Sequence, residues 1–203
     1  MGRNSNLYFA YTQTMFWSLF EKSLPIEDTR YQPELFYRVK LHSPLFSQLN
    51  IGLMDHDSNG SSGEANRSYD AAYLETVSYH DPRGRDLRWS NRFFAYYHVA
   101  EENKDIRGFR SIYETRLDYH AGFAPHDRVF LRAFLREPKK AANAPEDASS
   151  LSLGGVELGY RRPLTRADNG AFQFYAQLYH GYNETWRFYD ERVTEFRLGF
   201  MVR

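Results

Sequence analysis

Apolar and polar residues alternate with a period of two along much of this sequence. Between 113 and 119, Tyr113, Leu117 and Tyr119 oppose Glu114, Arg116 and Asp118. Between 172 and 179, one face carries the apolar side chains Phe172, Phe174, Ala176 and Leu178. Between 195 and 202, Phe196, Leu198, Phe200 and Val202 oppose Glu195 and Arg197. Because successive side chains of a strand point to opposite faces, this pattern predicts half-buried β-strands.

Similar segments recur along the whole chain, separated by polar loops. The predicted strands are Leu7–Trp17, Glu34–His42, Gln48–Ser58, Tyr69–Tyr79, Leu87–Ala100, Phe109–Gly122, Arg128–Arg136, Ser150–Tyr160, Ala171–Gly181 and Val193–Val202. Many have the ~9–11 residues with which a tilted strand crosses a bilayer, whereas no apolar run approaches the ~18 residues of a membrane helix. No linker or internal repeat is visible. The sequence therefore predicts one all-β domain over 1–203, an antiparallel barrel of about ten strands.

Periodicity alone does not determine which face of these strands points outward. Apolar side chains outside and charges inside would make a transmembrane barrel. The reverse arrangement would make a soluble, lipocalin-like barrel that binds a small molecule. The aromatic content of 17%, with 16 Tyr and 16 Phe, favours the aromatic girdles of a membrane barrel.

Composition excludes several other classes of protein. The 203 residues include 26 basic and 26 acidic side chains, so there is no charge-based argument for nucleic acid or a polybasic lipid anchor. There is no cysteine, which excludes a disulfide framework and a thiolate zinc site. The first six residues, Met1 to Asn6, have no apolar core of a signal peptide behind their single charge. An exported protein with this sequence would have lost its signal or be a fragment.

The candidate chemistry is concentrated in 55–70, where a histidine, a serine and an aspartate occur on two consecutive strands. His56 and Ser58 are two residues apart in one strand and therefore project to the same face. If His56 pairs with Asp70, then Ser58 faces Ser68, and His56, Ser58 and Asp70 share one face. Serine becomes a nucleophile when a histidine takes its proton and a third group orients the imidazole. This hairpin therefore predicts a Ser-His-Asp hydrolytic site.

Two simpler interpretations apply to the same stretch. Asp55-x-Asp57-x-Asn59-Gly60 also opens an EF-hand calcium loop. That pattern then requires a glutamate at its twelfth position, which is Asn66 here, and flanking helices, which the periodicity does not support. The stretch could also be an ordinary polar hairpin tip.

The string from His56 to Gly60, followed by Arg67 to Asp70, resembles the active-site hairpin of the outer membrane phospholipase A family. The resemblance extends over nearly the whole chain. Further similar segments are Tyr11-Thr12-Gln13-Thr14 with Phe16-Trp17, Thr29 to Phe36, Gly154 to Gly159, and Tyr175 to Tyr182. It implies a twelve-stranded outer-membrane barrel that hydrolyses phospholipid acyl esters with A1, A2 and lysophospholipase specificity. It further implies dependence on calcium and activity as a homodimer.

The family's catalytic residues map onto this hairpin one by one. Ser58 matches the nucleophile, His56 the base, and Gly60 the residue whose N–H helps to form the oxyanion hole. Asp70 matches the third member, where the best-known relatives have asparagine. This difference is mild because aspartate orients the histidine in other hydrolases.

The family's calcium positions also map onto this sequence. The resemblance implies a site shared between subunits at Ser23, Ser61 and Asn66, with Ser61 contributing its carbonyl oxygen. It places a second position near Glu101 and Glu102.

Compared with the family, the sequence has two strands fewer at its N-terminus, and it ends on Met201-Val202-Arg203 rather than on an aromatic residue. Open strand edges are unfavourable in lipid. We therefore expect a chain that is truncated at its N-terminus or that closes as a smaller barrel. Besides the phospholipase, a non-catalytic barrel (a pore or a truncated inactive enzyme) and the soluble ligand-binding barrel remain open.

Overall fold

A computed structural model describes residues 5–17, 22–23, 26–43, 45–80, 87–122, 126–137, 152–164 and 172–202. They form ten strands and three short 3-10 turns. The strands are β1 (Ser5–Trp17), β2 (Ile26–Lys40), β3 (Gln48–Ser58), β4 (Ser68–Tyr79), β5 (Leu87–Val99), β6 (Ser111–His120), β7 (Arg128–Arg136), β8 (Ser152–Pro163), β9 (Phe172–Tyr182) and β10 (Arg192–Val202). The 3-10 turns are Gly63–Ala65, Glu101–Asn103 and Ile106–Gly108. Among the described residues, none forms a helix with the length and hydropathy that a membrane span requires.

All ten strands belong to one antiparallel sheet in which each strand pairs with its sequence neighbours, in the order β1 to β10. Within the described residues no ladder joins β1 to β10. The two edges nevertheless approach each other at one end, where the Arg197 guanidinium lies 5.6 Å from the centre of the Phe16 ring. The sheet is therefore strongly curled, and the predicted antiparallel barrel architecture is confirmed.

The predicted strand bounds agree closely with the structure, with one exception. Parts of the prediction, including Ser150, Ala171 and the loops near 81–86 and 138–149, lie outside the described residues. The prediction for β2 was wrong at its start, because the strand begins at Ile26 and not at Glu34. Pro33 lies within the strand although it has no N–H to donate to a ladder. It falls between the paired positions Tyr31↔Ser58 and Glu34↔Asp55, where the ladder to β3 skips two residues.

The structure determines which face of the sheet is the outer one. Large apolar side chains project from the outer face with high exposure, including Phe9 and Phe196, each 68% exposed. The same holds for Leu53, Phe93, Leu158, Leu178, Leu198 and Phe200. A continuous apolar exterior of this kind is the surface that lipid covers in a transmembrane barrel. The soluble, lipocalin-like alternative is therefore not supported.

The inner face is lined by paired charges. Arg132 of β7 donates to Glu114 of β6 at 2.8 Å and to Glu157 of β8 at 3.1 Å. Asp118 accepts from Arg116 at 2.8 Å and also pairs with Arg161. Because buried charges are tolerated only when they are paired, these cross-strand networks suit a filled interior. They argue against an open pore.

A β-bulge in β3 alters the predicted register. On the C-terminal side of the bulge, His56 pairs with Asp70 and Ser58 with Ser68. On its N-terminal side, Gly52 pairs with Tyr73, so the register is shifted by one residue. A Cβ on Gly52 would lie 2.2 Å from the Tyr73 ring, so glycine is needed where that ring crosses β3. Bulges re-aim side chains near active sites. Here the bulge turns Asp55 and Asp57 inward and leaves His56 on the outer face.

Candidate active site on the outer face

The hairpin formed by β3 and β4 brings the three predicted catalytic side chains to one face. The pairs His56↔Asp70 and Ser58↔Ser68 are those that the sequence predicts. The Nδ1 atom of His56 lies 2.7 Å from the Oδ1 atom of Asp70. An ionised carboxylate only accepts hydrogen bonds, so the ring N–H must donate, which leaves Nε2 as the basic nitrogen. The His56 and Asp70 side chains are 37% and 24% exposed, on the outer surface.

Ser58 ends β3 and is 9% exposed. Its Oγ accepts a hydrogen bond of 2.9 Å from the Gly60 N–H. No hydrogen bond joins His56 to Ser58 in the described hairpin. Catalytic hydrogen bonds are often long without a substrate, so this geometry is compatible with a Ser-His pair. The structure thus brings His56 and Asp70 into contact, and places Ser58 and Gly60 beside them.

The turn after β3 has a defined conformation. Gly60 has a φ of +71°, which glycine adopts without strain. A Cβ at this position would lie 2.7 Å from the Cε2 atom of Tyr31. Asn59 closes the loop, since its Oδ1 accepts from the backbone N–H groups of Ser61 and Arg67 at 3.1 and 3.0 Å. The Gly60 N–H is therefore held beside Ser58 Oγ by both the turn and the Tyr31 ring.

Residues on the inner face support the hairpin, and the sequence analysis missed them. Asp57 is fully buried, pairs with Arg30 of β2 and accepts a hydrogen bond of 3.0 Å from the Tyr69 hydroxyl. Asp55 is also fully buried and accepts from Gln32 at 2.9 Å. Both aspartates thus belong to a strand and face different partners, which excludes an EF-hand loop. The alternation of β2 could have revealed Arg30 and Gln32 if the strand had been extended past Pro33.

A plug formed by loop residues packs inside the barrel behind the hairpin. Trp186, from the segment 183–191, is 1% exposed and packs with Tyr69, Ala71 and Ile106. Arg110 donates to the carbonyl oxygens of three consecutive residues, Asn183, Glu184 and Thr185, at 3.0 to 3.3 Å. Burial, together with the nearby Arg30 charge, lowers the pKa of Arg110. The plug is thereby held against the inner face of the β3–β4 hairpin.

The plug should loosen in acid. Burial raises the pKa of the Glu184 carboxyl, but Arg132 and Arg197 outweigh this effect and hold that pKa well below its usual range. A carboxyl with a lowered folded-state pKa contributes stability above its unfolded value, about 4.3, and loses it as the pH falls below that value. We expect the Trp186 fluorescence to change between about pH 4 and pH 2. Glu184→Gln should abolish the pH dependence of this step, whereas an unchanged transition would contradict the assignment.

The proposed calcium positions are oxygen-rich. Ser61 and Asn66 lie at either end of the loop beside Ser58, and Ser23 is exposed with a φ of +75° between β1 and β2. No hydrogen bond of the described residues uses the Ser61 carbonyl or the Asn66 side-chain amide, so both oxygens could bind a hard cation. Glu101 pairs with Lys104, and Glu102 is exposed beside it. Across the described ranges, no group of three or more His, Cys, Asp or Glu is arranged to hold a metal ion.

The apolar exterior, the charged interior and the outward-facing hairpin define a β-barrel membrane protein that carries polar residues of catalytic type on its lipid-facing surface. The profile of the family described as phospholipase A1 matches residues 1–202. The chain therefore belongs to the phospholipase A1 family.

Known proteins agree with this assignment. The chain is 27% identical to phospholipase A1 of Escherichia coli K12, in a match that covers all of this chain and 64% of that relative. The chain thus spans less than two thirds of that relative's length. The solved structure of outer membrane phospholipase A from Escherichia coli matches with a TM-score of 0.76 at 23% identity, over 100% of this chain and 72% of that one.

A Salmonella typhi outer membrane phospholipase, solved as a dimer with bound calcium, also matches with a TM-score of 0.76 at 23% identity, with the same coverage of both chains. At such identities these two structures support the fold. The fold of the chain is therefore that of these two outer-membrane barrels.

Proposed function

We propose that this chain carries the active site of an outer-membrane phospholipase, which hydrolyses acyl esters of phospholipids with A1, A2 and lysophospholipase specificity. One observation carries the proposal: the 2.7 Å contact between His56 and Asp70, with Ser58 and Gly60 beside it on the lipid-facing surface. The ester of a membrane phospholipid lies near the bilayer surface. Ser58, at the end of β3, would lie at a similar depth.

The proposed mechanism follows from the roles of the four residues. His56 Nε2 takes the Ser58 proton while Ser58 Oγ attacks the acyl carbonyl carbon. The Gly60 N–H donates to the oxyanion of the tetrahedral intermediate. As this intermediate collapses, the C–O bond of the ester breaks and the leaving alcohol takes the proton from His56. Water, deprotonated by His56, then attacks the acyl-serine, and His56 returns the proton to Ser58 Oγ as the fatty acid is released. Asp70 stabilises the imidazolium in both halves.

Calcium is part of the proposal, at Ser23, Ser61 and Asn66, with Glu101 or Glu102 near a second position. These groups offer hydroxyl, carbonyl, amide and carboxylate oxygens, which are the ligands that calcium prefers. When bound beside the hairpin, the cation would stabilise negative charge that develops near Ser58.

A homodimer is the proposed active form. His56 is 37% exposed on the outer face and Ser58 lies two residues away on the same strand, so one sheet by itself offers no wall for an acyl chain. A second copy packed against the outer face would supply that wall. In that dimer the shared calcium site would take Ser23 from one subunit and Ser61 and Asn66 from the other.

Hydrolysis of a phospholipid in detergent micelles, with calcium or with a chelator, tests the proposal. Folded protein should release fatty acid only with calcium, with half-maximal activity at about 10⁻⁴ to 10⁻³ M because the donors of the shared site carry no formal charge. Magnesium is the matched control, since its demand for octahedral geometry makes it a poor substitute. No release by folded protein with calcium would contradict the enzymatic function, and equal release with the chelator would contradict the metal.

A non-catalytic pore is the second candidate, and conductance in planar bilayers would support it. The plug around Trp186 and the paired charges of the inner face favour the enzyme.

A further inference from the structure

A second histidine lies beside the His56–Asp70 pair. His98 of β5 is the direct cross-strand partner of Asp70 on one side of β4, as His56 is on the other side. Three adjacent strands thus place His56, Asp70 and His98 in one row on the outer face. His98 is exposed, whereas its neighbour Val99 packs inward against the plug.

A β-bulge produces this row. Ala71 pairs with Tyr96 but Asp70 pairs with His98, so Tyr97 is an additional residue in β5. A regular ladder would place Tyr97 opposite Asp70 and turn His98 toward the interior. The bulge instead directs both Tyr97 and His98 outward, and bulges beside active sites commonly re-aim a side chain.

Asp70 needs a cation that His56 cannot supply in the resting site. The proposed hydrolysis starts from neutral His56, whereas an ionised carboxylate on a lipid-facing surface is unfavourable without a partner. Directly paired residues have Cβ atoms about 4.5–5.5 Å apart, within reach of an imidazole.

The other charged groups near β5 either bond to other partners or are negative, like Asp70. In the segment that follows β5, Glu101 pairs with Lys104, and Arg107 donates to the Tyr96 carbonyl at 2.8 Å. Glu102 is exposed and carries the same sign of charge as Asp70. On the outer face, the register places two basic side chains next to Asp70, namely His56 and His98.

We propose that His98 is a positioning residue: in its protonated form it holds and neutralises the Asp70 carboxylate, so that His56 stays neutral and available as the base. This proposal rests on the proposed hydrolase function. Without His98, the Asp70 charge acts on His56 alone and favours protonated His56, which is inactive as a base. The effect grows as the pH falls and vanishes at high pH, where both imidazoles are neutral.

The test compares kcat/KM of the wild type and His98→Asn on a micellar ester at two pH values. We expect a two- to fivefold lower value, roughly the strength of a cross-strand charge pair, at about pH 6, and equal values at about pH 9. His98→Lys keeps a cation opposite Asp70 and should retain the activity at the lower pH. His180→Asn is the matched control, because His180 is an exposed histidine that bonds to Thr194 at 2.8 Å. An equal loss at both pH values would indicate a structural role and overturn the proposal.

A second measurement does not depend on activity. In protein labelled with ¹⁵N-histidine, Asp70→Asn should move the ring resonances of His98 and leave those of His180 in place. Unmoved His98 resonances would overturn the pairing, whatever the activity. If the resonances move but the wild type hydrolyses no ester, the pairing stands and the proposed function fails.

Discussion

Ser58→Ala should lower phospholipid hydrolysis by about 10⁴-fold or more, because removal of the nucleophile leaves only binding and oxyanion stabilisation. The fold should survive, since Ser58 lies at the end of β3 and, among the described residues, its side chain bonds only to the Gly60 N–H of the adjacent turn. Heat-modifiable migration in gels reports the folded barrel, and fatty-acid release reports the activity.

The hairpin offers a matched control for this variant. Ser68 is the cross-strand partner of Ser58 and is equally buried, with 9% exposure for each. Ser68→Ala should therefore keep most of the activity. Full activity in Ser58→Ala would show that another group is the nucleophile, and an equal loss in both variants would indicate damage to the hairpin.

Gly60→Ala should reduce kcat by about 10²–10³-fold, the usual effect of losing one oxyanion donor. The new Cβ would lie 2.7 Å from the Tyr31 ring, and the φ of +71° disfavours any residue with a Cβ. The turn must therefore shift, and the N–H beside Ser58 Oγ shifts with it.

Gly63→Ala separates the backbone strain of replacing a glycine from the displacement of the Gly60 N–H. Gly63 has a similar φ of +64°, but a Cβ there would meet no atom within 4 Å. Both variants carry the backbone penalty of about 1–2 kcal/mol, whereas only Gly60→Ala displaces the N–H. Gly63→Ala should keep a near-normal kcat. Comparable kcat values for Gly60→Ala and the wild type would remove Gly60 from the oxyanion site.

The sequence predicted the site hairpin because its geometry is local. Side chains two residues apart in a strand share a face, so His56 and Ser58 needed no tertiary information. The pairing of His56 with Asp70 required only that a polar loop close between two strands. Local spacing did not predict the start of β2. Pro33 is tolerated within this strand because it falls where the ladder to β3 is interrupted, and that depends on the neighbouring strand.

Alternation could have placed Arg30 and Gln32 on the inner face, but local spacing does not say which group each of them contacts. Arg30 reaches Asp57 across 27 residues, and the Trp186 N–H reaches Asp28 across 158 residues. Such contacts form only when the curled sheet brings strands and loops that are distant in sequence together inside the barrel. The bulges in β3 and β5 depend in turn on tight packing, such as that of the Tyr73 ring over Gly52.

The sequence by itself determined the ten strands, the two faces of each strand and the residues that share a face with His56, because side-chain direction repeats every two residues. Only the tertiary structure decided which face is the outer one. Alternation is symmetric between the two faces, and the symmetry is broken when inward charges such as Arg132 and Glu114 find partners on neighbouring strands. The apolar side chains are then left on the exterior, where lipid, and not water, is their favourable surrounding.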